Sequence, residues 1–349
     1  MFCYPNEMWH CETMGFTPQE AAMSDPELSL SFAAYKIRLY DHLHAREIWV
    51  ACSEDMTCQY ITRDSSDIVQ DAYDTVNKET IFTLEKLPGA MDFCGKPMGA
   101  KAMRRWLSRS ARAMTLAEKR GDAPSPGDLI ETDLIKLDWV LRYPAAVDAY
   151  RSLLRSDWLT RMAARRTLLN RIKRSPGGFT PGSHVMDTRN VPALHRQWQF
   201  QRMAVGGLGR SLKTFLEGTD DLFAALGDFQ FYAAPARMVI TAHKDYTEIY
   251  IPQVAIYLRD TYDFYGEQYL GHWNSQGSAL YPGLRGAISI HTGEVDKWSI
   301  YFPISNRVFR AWQKRKGSGG DYIIFSDARV ETTYGLKLKV SPAEIINAG

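Results

Sequence analysis

The stretch that decides the fold is residues 228–262, DFQFYAAPARMVITAHKDYTEIYIPQVAIYLRDTY. Large apolar residues alternate in it with polar or small ones, at Phe229 and Phe231 and again at Ile249 and Ile251. Because successive side chains of a strand point to opposite faces, this alternation indicates strands with one buried face. The stretch therefore predicts that a sheet begins near its first phenylalanine.

The rest of the chain divides around this stretch. Short apolar runs bounded by turn residues follow it, namely GAISIHTG, KWSIYFPI and DYIIFSDARVETTYGLKL. Before it, apolar residues recur at helical spacing and loops rich in glycine and proline interrupt them. The predicted helices are residues 27–43, 99–120, 134–143, 145–174, 194–205 and 210–226. Helices first and strands afterwards predict an α+β fold: a mainly helical part, residues 1–226, and a β-rich domain, residues 227–349, shaped as a half-barrel or a sandwich.

The composition is that of an ordinary globular protein. Of 349 residues, 45% are apolar and 23% are charged, and the formal net charge is +2. So small a charge gives no general attraction to nucleic acid or to membranes. No run approaches the length of apolar sequence that a transmembrane helix needs.

The N-terminal stretch MFCYPNEMWHCETMGF lacks the basic and apolar regions of a secretory signal peptide. We therefore expect synthesis in the cytoplasm, with any export independent of such a signal. The 5 cysteines all lie in the first 94 residues. Their odd number and spacing favour reduced thiols over a disulfide framework or a zinc site.

Residues 151–174 form the most basic segment, in which Lys and Arg are opposed by the single acidic residue Asp157. A helix with this charge can bind nucleic acid, anionic headgroups or an acidic protein. Alternatively, it is a solvated face whose cations pair with acidic neighbours. Nucleic acid is the less favoured partner, because Trp158 is the one aromatic side chain in the segment that can stack on a base.

The tetrapeptide Gly317-Ser-Gly-Gly320 follows Lys314, Arg315 and Lys316. Backbone N–H groups of a glycine loop beside cations can cradle a phosphate. The loop lacks the Gly-Lys-Ser/Thr ending of a P-loop and leads into a strand, so a simple turn is the alternative.

The predicted long strand ends in Asp260-Thr-Tyr-Asp263. Because the chain turns there, the two carboxylates can project together, and their oxygens are the ligands that Mg²⁺ prefers. Such a pair can activate water for phosphoester hydrolysis while Tyr262 hydrogen-bonds a phosphate oxygen. In the alternative, Asp260 and Asp263 cap the turn and Tyr262 fills the core. The same Asp-x-Tyr-Asp pattern occurs at residues 71–74, so its position at the end of a strand carries the prediction.

Five phrases carry a resemblance to a known family: KLPGAMDFCGKPMGAKAMRRWLS, IKLDWVLRYPAAVDAY, LHRQWQFQ, IYLRDTYDFYGEQYLGHW and AWQKRKGSGGDYIIFSD. In this order they resemble an uncharacterised bacterial domain family associated with type VI secretion loci, over roughly residues 85–330. Genes of that family lie near those of spike and PAAR proteins. The resemblance implies a cargo, toxin or toxin accessory, with a spike or PAAR protein and a cognate immunity protein as its partners.

A second, local resemblance is to colicin M-type bacteriocins, whose motif is Asp-x-Tyr-Asp, five residues, then His-Arg. These proteins cleave the pyrophosphate linkage of lipid II with Mg²⁺, on a β-rich domain that follows a helical part. Asp260, Tyr262 and Asp263 match the first half of the motif, whereas Tyr269 and Leu270 replace its His-Arg. His272 is the nearest substitute for the histidine. Other candidates are His243 and His291 for the histidine, and Arg259, Arg285 and Arg310 for the arginine.

These observations lead to three hypotheses. The first is an antibacterial type VI effector that acts in the periplasm of a target cell and hydrolyses a phosphoester of lipid II, an anionic lipid-linked substrate. In it, Asp260 and Asp263 bind Mg²⁺ and activate water, Tyr262 orients phosphate, and His272 is the general acid or base. The second is a non-enzymatic adaptor that loads a separate toxin onto the secretion spike. The third, a nuclease that uses the basic helix, is the least favoured.

Overall fold

The computed structural model describes residues 2–3, 11–15, 32–40, 45–53, 58–61, 83–121, 126–155, 157, 160–206, 220–266, 269–274, 277–279 and 302–347. The chain forms two compact units. The first unit comprises residues 1–113, 211–225 and 263–321, and the second comprises residues 114–210, 226–262 and 322–349. The predicted division of roles between residues 1–226 and 227–349 stays a prediction.

The helices and strands alternate irregularly along the chain. The strands are β1 (Phe2–Cys3), β2 (Cys11–Gly15), β3 (Phe32–Tyr40), β4 (Ala45–Ser53), β5 (Cys58–Ile61), β6 (Ile130–Glu131), β7 (Gly182–Val185), β8 (Gln201–Val205), β9 (Phe229–Ala242), β10 (Thr247–Tyr262), β11 (Tyr269–Asn274), β12 (Gly277–Ala279), β13 (Phe302–Ser305), β14 (Tyr322–Phe325), β15 (Arg329–Thr332) and β16 (Lys337–Val340). The helices are α1 (Leu87–Phe93), α2 (Pro97–Ser108), α3 (Leu116–Arg120), α4 (Leu137–Val140), α5 (Pro144–Leu154), α6 (Met162–Arg174), α7 (Val191–Trp198), α8 (Asp221–Leu226), α9 (Asn306–Lys316) and α10 (Pro342–Asn347).

Strands β1 to β5 form an antiparallel sheet in sequence order. The prediction of a helix over residues 27–43 is therefore wrong, since β3 lies there and pairs with β4 along its whole length. Tyr35, Ile37 and Leu39 alternate with cationic residues in this segment. That period of two favours a strand over a helix.

The core of the first unit is an aromatic cluster around Trp106, which is fully buried in α2. Its ring centroid lies 5.0 Å from that of Phe264, 5.4 Å from Phe309 and 5.9 Å from Trp312. Phe264 and Phe309 stack on each other, with centroids 3.6 Å apart. Such pairs add about 0.5–1.5 kcal/mol each beyond the burial of their surface. The cluster therefore fastens α2 to α9 and to the segment that follows β10.

A buried ion pair completes this cluster. Asp321 is fully buried, and Arg310 donates to both of its carboxylate oxygens, at 2.9 and 2.8 Å. Trp106 Nε1 donates to the same carboxylate at 3.2 Å, and Arg310 Nε donates to the carbonyl of Phe264 at 2.8 Å. A buried carboxylate is tolerated only when its charge and its lone pairs are matched. Asp321 therefore depends on both partners for its place in the core.

The second unit is built on a curled sheet whose two central strands, β9 and β10, form a long antiparallel hairpin. The other edge of β10 pairs with β16, β15 and β14 in turn, and β6 continues that side in parallel with β14. The other edge of β9 pairs with β7 and β8. A register shift between Tyr250 and Val254 coincides with Pro252, which cannot donate to a ladder. Two long strands with segmented neighbours allow the sheet to curl into a half-barrel.

Two arginines of the second unit close the C-termini of helices. Arg259 donates to the carbonyls of Glu118 and Lys119 at the end of α3, at 3.4 and 2.8 Å. Arg171 donates to the carbonyls of Arg196 and Gln199 at the end of α7, at 2.7 and 3.3 Å. The last carbonyls of a helix have no intrahelical donor, and they attract cations. This role explains why the Arg259 side chain is only 8% exposed.

The predicted α+β fold is confirmed, and the half-barrel is the form that the C-terminal sheet takes. Some helices are shorter than predicted, because the backbone of the remaining residues forms hydrogen bonds with other segments of the chain. The segment 194–205 leaves the helix and becomes β8 on the edge of β9. The segment 99–120 is interrupted after Ser108, where the backbone pairs with the loop before β14. None of the helices in the described ranges has the length and apolarity that crossing a bilayer requires.

Candidate functional site

The predicted catalytic residues begin at the end of β10. Asp260 is half-buried, and Tyr262 stacks on Tyr322, with ring centroids 5.1 Å apart. The Tyr262 side chain is 8% exposed. Burial, and then the negative charge of Asp260, raise the pKa of Tyr262 well above its usual value. The phenol therefore stays neutral, and its position favours the alternative in which Tyr262 fills the core beside the carboxylate of Asp260.

Asp263 lies one residue beyond β10, in the first unit, and its side chain is half-buried. The backbone that follows it is held by α9: Arg310 Nε donates to the carbonyl of Phe264 at 2.8 Å, and Asn306 Nδ2 donates to that of Tyr265 at 2.7 Å. A turn held in this way presents Asp263 on a rigid backbone. The structure thus places Asp260 and Tyr262 together on one strand of the second unit, and Asp263 in the other unit.

His272 lies in β11, in the first unit, where its backbone pairs with β12 and β13. His243 is exposed in the turn between β9 and β10 and stacks on Tyr246 at 4.4 Å. It stands at the opposite end of β10 from Asp260, roughly 40 Å along the strand at about 3.3 Å per residue. His243 therefore does not complete a site at Asp260.

The candidates for the motif's arginine are bound elsewhere or are not described. The guanidinium of Arg259 closes α3, and that of Arg310 holds Asp321. Arg285, His291 and the second Asp-x-Tyr-Asp copy at residues 71–74 lie outside the described residues. The roles predicted for Asp260, Tyr262, Asp263 and His272 stay predictions.

One histidine that the sequence analysis did not assign to the sheet lies against it. His195 of α7 has its Nδ1 3.1 Å from the hydroxyl of the fully buried Tyr257, and its ring meets Tyr232 edge-on at 4.7 Å. Burial lowers the pKa of His195 to about 3, and the positive charges of Arg259 and Arg171 act in the same direction. His195 is therefore a neutral, half-buried residue that packs against the sheet. Helical periodicity identified its helix but not the strands that its side chains cover.

The acid stability of the protein should depend on this histidine. An unfolded chain binds a proton on histidine with a pKa of about 6.5, whereas the folded chain holds the pKa of His195 near 3. Between these values the unfolded state binds more protons, so acid favours unfolding, by up to roughly 1.4 kcal/mol per pH unit. We expect the stability of the His195→Gln variant to fall less steeply below about pH 6.5 than that of the wild type. Urea midpoints measured across this range check it, and two parallel curves would remove His195 as the cause.

Three cations of residues 151–174 make contacts elsewhere in their own unit. Arg165 of α6 pairs with Glu344 at 2.8 Å, and Lys173 donates to the carbonyl of Ile346 at 2.8 Å. Arg171, the third of these cations, donates to the carbonyls at the C-terminus of α7. These contacts favour the interpretation of the segment as a solvated face that pairs with its neighbours.

The glycine loop 317–320 is a structural turn. The N–H groups of its three glycines donate to backbone carbonyls, at 2.8 to 3.1 Å. Gly319 has φ +88°, and a Cβ there would lie 2.4 Å from the Trp106 ring. Because its glycine donors are engaged and it packs this closely against Trp106, the loop is a structural turn that packs on α2 rather than a phosphate cradle.

The first unit contains a surface groove with a volume of about 770 Å³ among its described residues. The 3-10 turn Leu84–Lys86, α1, α2 and α9 contribute to it. Its apolar lining consists of Pro88, Gly89, Ala90, Leu107 and Trp312. Its polar lining consists of Glu85, Lys86, Arg104, Ser108, Lys316 and Ser318. Pockets that bind ligands have volumes of about 300–1,000 Å³ and combine an apolar lining with a few polar groups.

The charge of this groove is positive, with three cations against one carboxylate. Glu85 accepts a hydrogen bond from Trp312 Nε1 at 3.0 Å, and Lys316 Nζ lies 3.6 Å from the same oxygen. Burial alone would raise the pKa of Glu85, but these neighbours, with hydrogen bonds from the backbone and Thr83, outweigh it and lower that pKa. Burial lowers the pKa of Lys86. The lining thus keeps its one carboxylate ionised and still carries excess positive charge.

A metal site was predicted at Asp260 and Asp263. Two carboxylates offer the hard oxygen ligands that Mg²⁺ takes together with waters, so the donor type suits the ion. Over the residues that the structure describes, no three His, Cys, Asp or Glu side chains gather as a metal-binding group. The Mg²⁺ assignment stays a prediction.

Comparison with known proteins places the chain in a family. A family model described as a family of unknown function, DUF6402, matches residues 82–339, and the chain belongs to this family. No curated protein and no solved structure gives a significant match. The matched range contains the whole groove, the aromatic cluster and the end of β10. Its description names no activity, so the association with type VI secretion and the similarity to colicin M stay predictions.

Sequence reasoning missed the groove for a physical reason. Its lining joins residues that are far apart in the chain, with Glu85 and Ser318 at its extremes. Both lie in phrases or beside phrases that carry the family resemblance, LPGAM and WQKRKGSGG. The cations and apolar residues of these phrases are visible in the sequence. Only the packing of α9 against the 3-10 turn brings them together in one groove.

Proposed function

We propose that the protein is a non-enzymatic adaptor of a type VI secretion system, which binds a toxin or the spike through the groove of its first unit. The observation that carries this proposal is the groove itself, with about 770 Å³ of space, an apolar lining and surrounding cations. A surface of this kind offers a partner both desolvation and charge recognition. The secretion context comes from the five sequence phrases that resemble a type VI-associated family.

The buried positions of other residues in the five phrases support a binding role. Trp106, Phe264 and Asp321, which stand in three of the five phrases, form the core of the first unit. Tyr262 of the Asp-x-Tyr-Asp pattern is a core residue as well. The phrases therefore specify the fold that holds the groove in shape.

A second candidate is a metal-dependent hydrolase of lipid II, as the sequence analysis predicted. The observation that favours it is that Asp260 and Asp263 are both half-buried, and that the turn after Asp263 is held rigidly by α9. Here Asp260 and Asp263 would hold Mg²⁺, which supplies a Lewis acid and an activated water. Tyr262, whose ring is stacked on Tyr322, would hold the end of β10 in place through this packing.

One experiment compares the two candidates. The chain is expressed in the periplasm of a sensitive strain, and it is also affinity-purified from cells that make the spike and toxin proteins of the same locus. As an adaptor, it should arrest no growth and should co-purify with the spike or the toxin. Gly89→Phe, which fills the groove, should lower the co-purified amount by about tenfold, a loss of about 1.4 kcal/mol. Gly89→Ala is the matched control and should retain the partner.

The opposite pattern would support the hydrolase. In that case the wild type stops growth from the periplasm, Asp263→Ala abolishes both growth arrest and lipid II turnover, and Asp245→Ala retains them. Asp245 is an exposed residue of the turn between β9 and β10, so its replacement leaves the site and the core intact. Growth arrest that survives Asp263→Ala would rule out the proposed carboxylate chemistry.

A further inference from the structure

We infer that the groove binds a short acidic peptide in which an apolar side chain lies between carboxylates. This inference rests on the proposed function, since it names the chemistry of the partner segment for the same groove. Three features carry it: the placement of the cations, the weakness of their present ion pairs, and the open space at Gly89.

The cations come from different elements around an apolar lining. Lys86 precedes α1, Arg104 lies on α2, and Lys316 ends α9. Pro88, Ala90 and other apolar residues line the groove with them. A ligand that satisfies separated cations must carry negative charge at more than one point, and it must bring an apolar group to the lining between them. Acidic residues on both sides of an apolar residue meet both conditions.

Two of these cations can exchange their present carboxylate partners for a ligand carboxylate with little change in stability. Lys316 is 3.6 Å from Glu85, beyond the usual hydrogen-bond distance, and its side chain is 48% exposed. The side chains of Arg104 and its partner Asp92 are 53% and 41% exposed. Exposed pairs of this kind contribute little to stability, because water screens both charges. Both cations can therefore turn to a bound carboxylate with little loss of stability to the fold.

The groove has room where a ligand's side chain would need it. A Cβ added at Gly89 would meet no atom within 4 Å, and the backbone there is helical. Because Gly89 lines the groove, a large side chain at this position takes up space at the groove and does not displace the core. Gly89 thus offers a means of blocking the groove that leaves the charges in place.

The test measures binding of fluorescein-labelled peptides to the full chain by anisotropy. The peptides carry Asp and Glu on both sides of Leu, Phe or Met, and the control peptides replace every Asp and Glu by Asn and Gln. We expect saturable binding of at least one acidic peptide, no binding of the amide peptides, and affinity that falls with salt. Gly89→Phe and Lys316→Glu should each raise Kd by about tenfold or more. Their matched controls, Gly89→Ala and Lys314→Glu, should change Kd by less than about twofold.

The controls distinguish the peptide from other anions and from unfolding. Lys314 is exposed on the same helix and does not line the groove, so Lys314→Glu makes the same charge change outside it. Far-UV circular dichroism and the thermal midpoint show that each variant is folded. The inference is overturned if amide peptides bind equally, if Gly89→Phe leaves binding unchanged, or if inorganic phosphate or anionic vesicles compete fully while acidic peptides fail.

The failure of this inference can be told apart from that of the proposed function. If Gly89→Phe abolishes co-purification of the spike or toxin but no acidic peptide binds, the adaptor role stands and the chemistry of the segment is wrong. If acidic peptides bind in the groove while neither spike nor toxin co-purifies, the peptide site stands and the adaptor role is wrong.

Discussion

Asp321→Ala is expected to lower the free energy of unfolding by about 3 kcal/mol, because it leaves the guanidinium of Arg310, which is 25% exposed, beside the aromatic cluster without its carboxylate. The wild-type residue is fully buried and accepts two hydrogen bonds from that guanidinium and one from the indole N–H of Trp106. Loss of the acceptor also leaves the indole N–H unsatisfied, which costs about 1–3 kcal/mol within that total. Urea unfolding followed by tryptophan fluorescence measures the effect directly.

The chain offers a matched control for this change. Asp92 also pairs with an arginine of the first unit, but its side chain is 41% exposed. Asp92→Ala should therefore cost less than about 1 kcal/mol. If Asp321→Ala costs no more than Asp92→Ala, the buried pair does not stabilise the first unit.

A double variant tests whether the stranded charge is the cause. Replacement of both partners of a buried ion pair by apolar residues of similar volume is often neutral or stabilising. Arg310→Met combined with Asp321→Leu should therefore recover much of the stability that Asp321→Ala loses. No recovery would mean that the bond from Arg310 to the carbonyl of Phe264 matters more than the charge.

Phe264→Ala is expected to cost about 3–5 kcal/mol, as large-to-small changes of a core aromatic do. The ring is 7% exposed, stacks on Phe309 and meets Trp106 edge-on. Its neighbour Tyr265 is 79% exposed and supplies the control, since Tyr265→Ala should change stability by less than about 0.5 kcal/mol. Thermal and urea unfolding of the two variants, made side by side, give the comparison. Equal stabilities would show that the stack is not part of the core.

The Phe264 and Tyr265 variants also serve as stability controls for the functional experiments. Phe264 follows directly after Asp263, so its replacement would remove any activity by unfolding the turn. Loss of activity on changing Phe264 is therefore no sign of catalysis, whereas loss on changing Asp263 in a folded protein is.

The strands at the centre of the second unit were predictable because their pattern is local. Alternation from Phe229 to Ile251 marks β9 and β10, and both are strands in the structure. Residues 27–43 were wrongly predicted as a helix, although the alternation of Tyr35, Ile37 and Leu39 was available in the sequence. The segment 194–205 begins as a helix and ends as β8, because the edge of β9 satisfies its backbone.

The candidate site was less predictable, because its parts are set by contacts between distant residues. Sequence could place Asp260 and Tyr262 at the end of a strand, and they are there. It could not tell that Tyr322 would bury the Tyr262 ring, that Arg171 would close α7, or that Glu344 would be the partner of Arg165. The groove needed α9 beside the 3-10 turn, and no local pattern encodes that arrangement.

The hydrogen bond from Trp106 to Asp321 also limits how early the first unit can fold during synthesis, because 215 positions separate the two residues. A ribosome that adds about 5–20 residues per second needs roughly 10–40 s to make that stretch. Through this interval the nascent chain exposes the indole of Trp106 before its acceptor exists. Each compact unit is in fact closed by a late segment, residues 263–321 for the first and 322–349 for the second. Each unit therefore completes its folding only after its late segment has been made, and residue 321 is the last that the first unit needs.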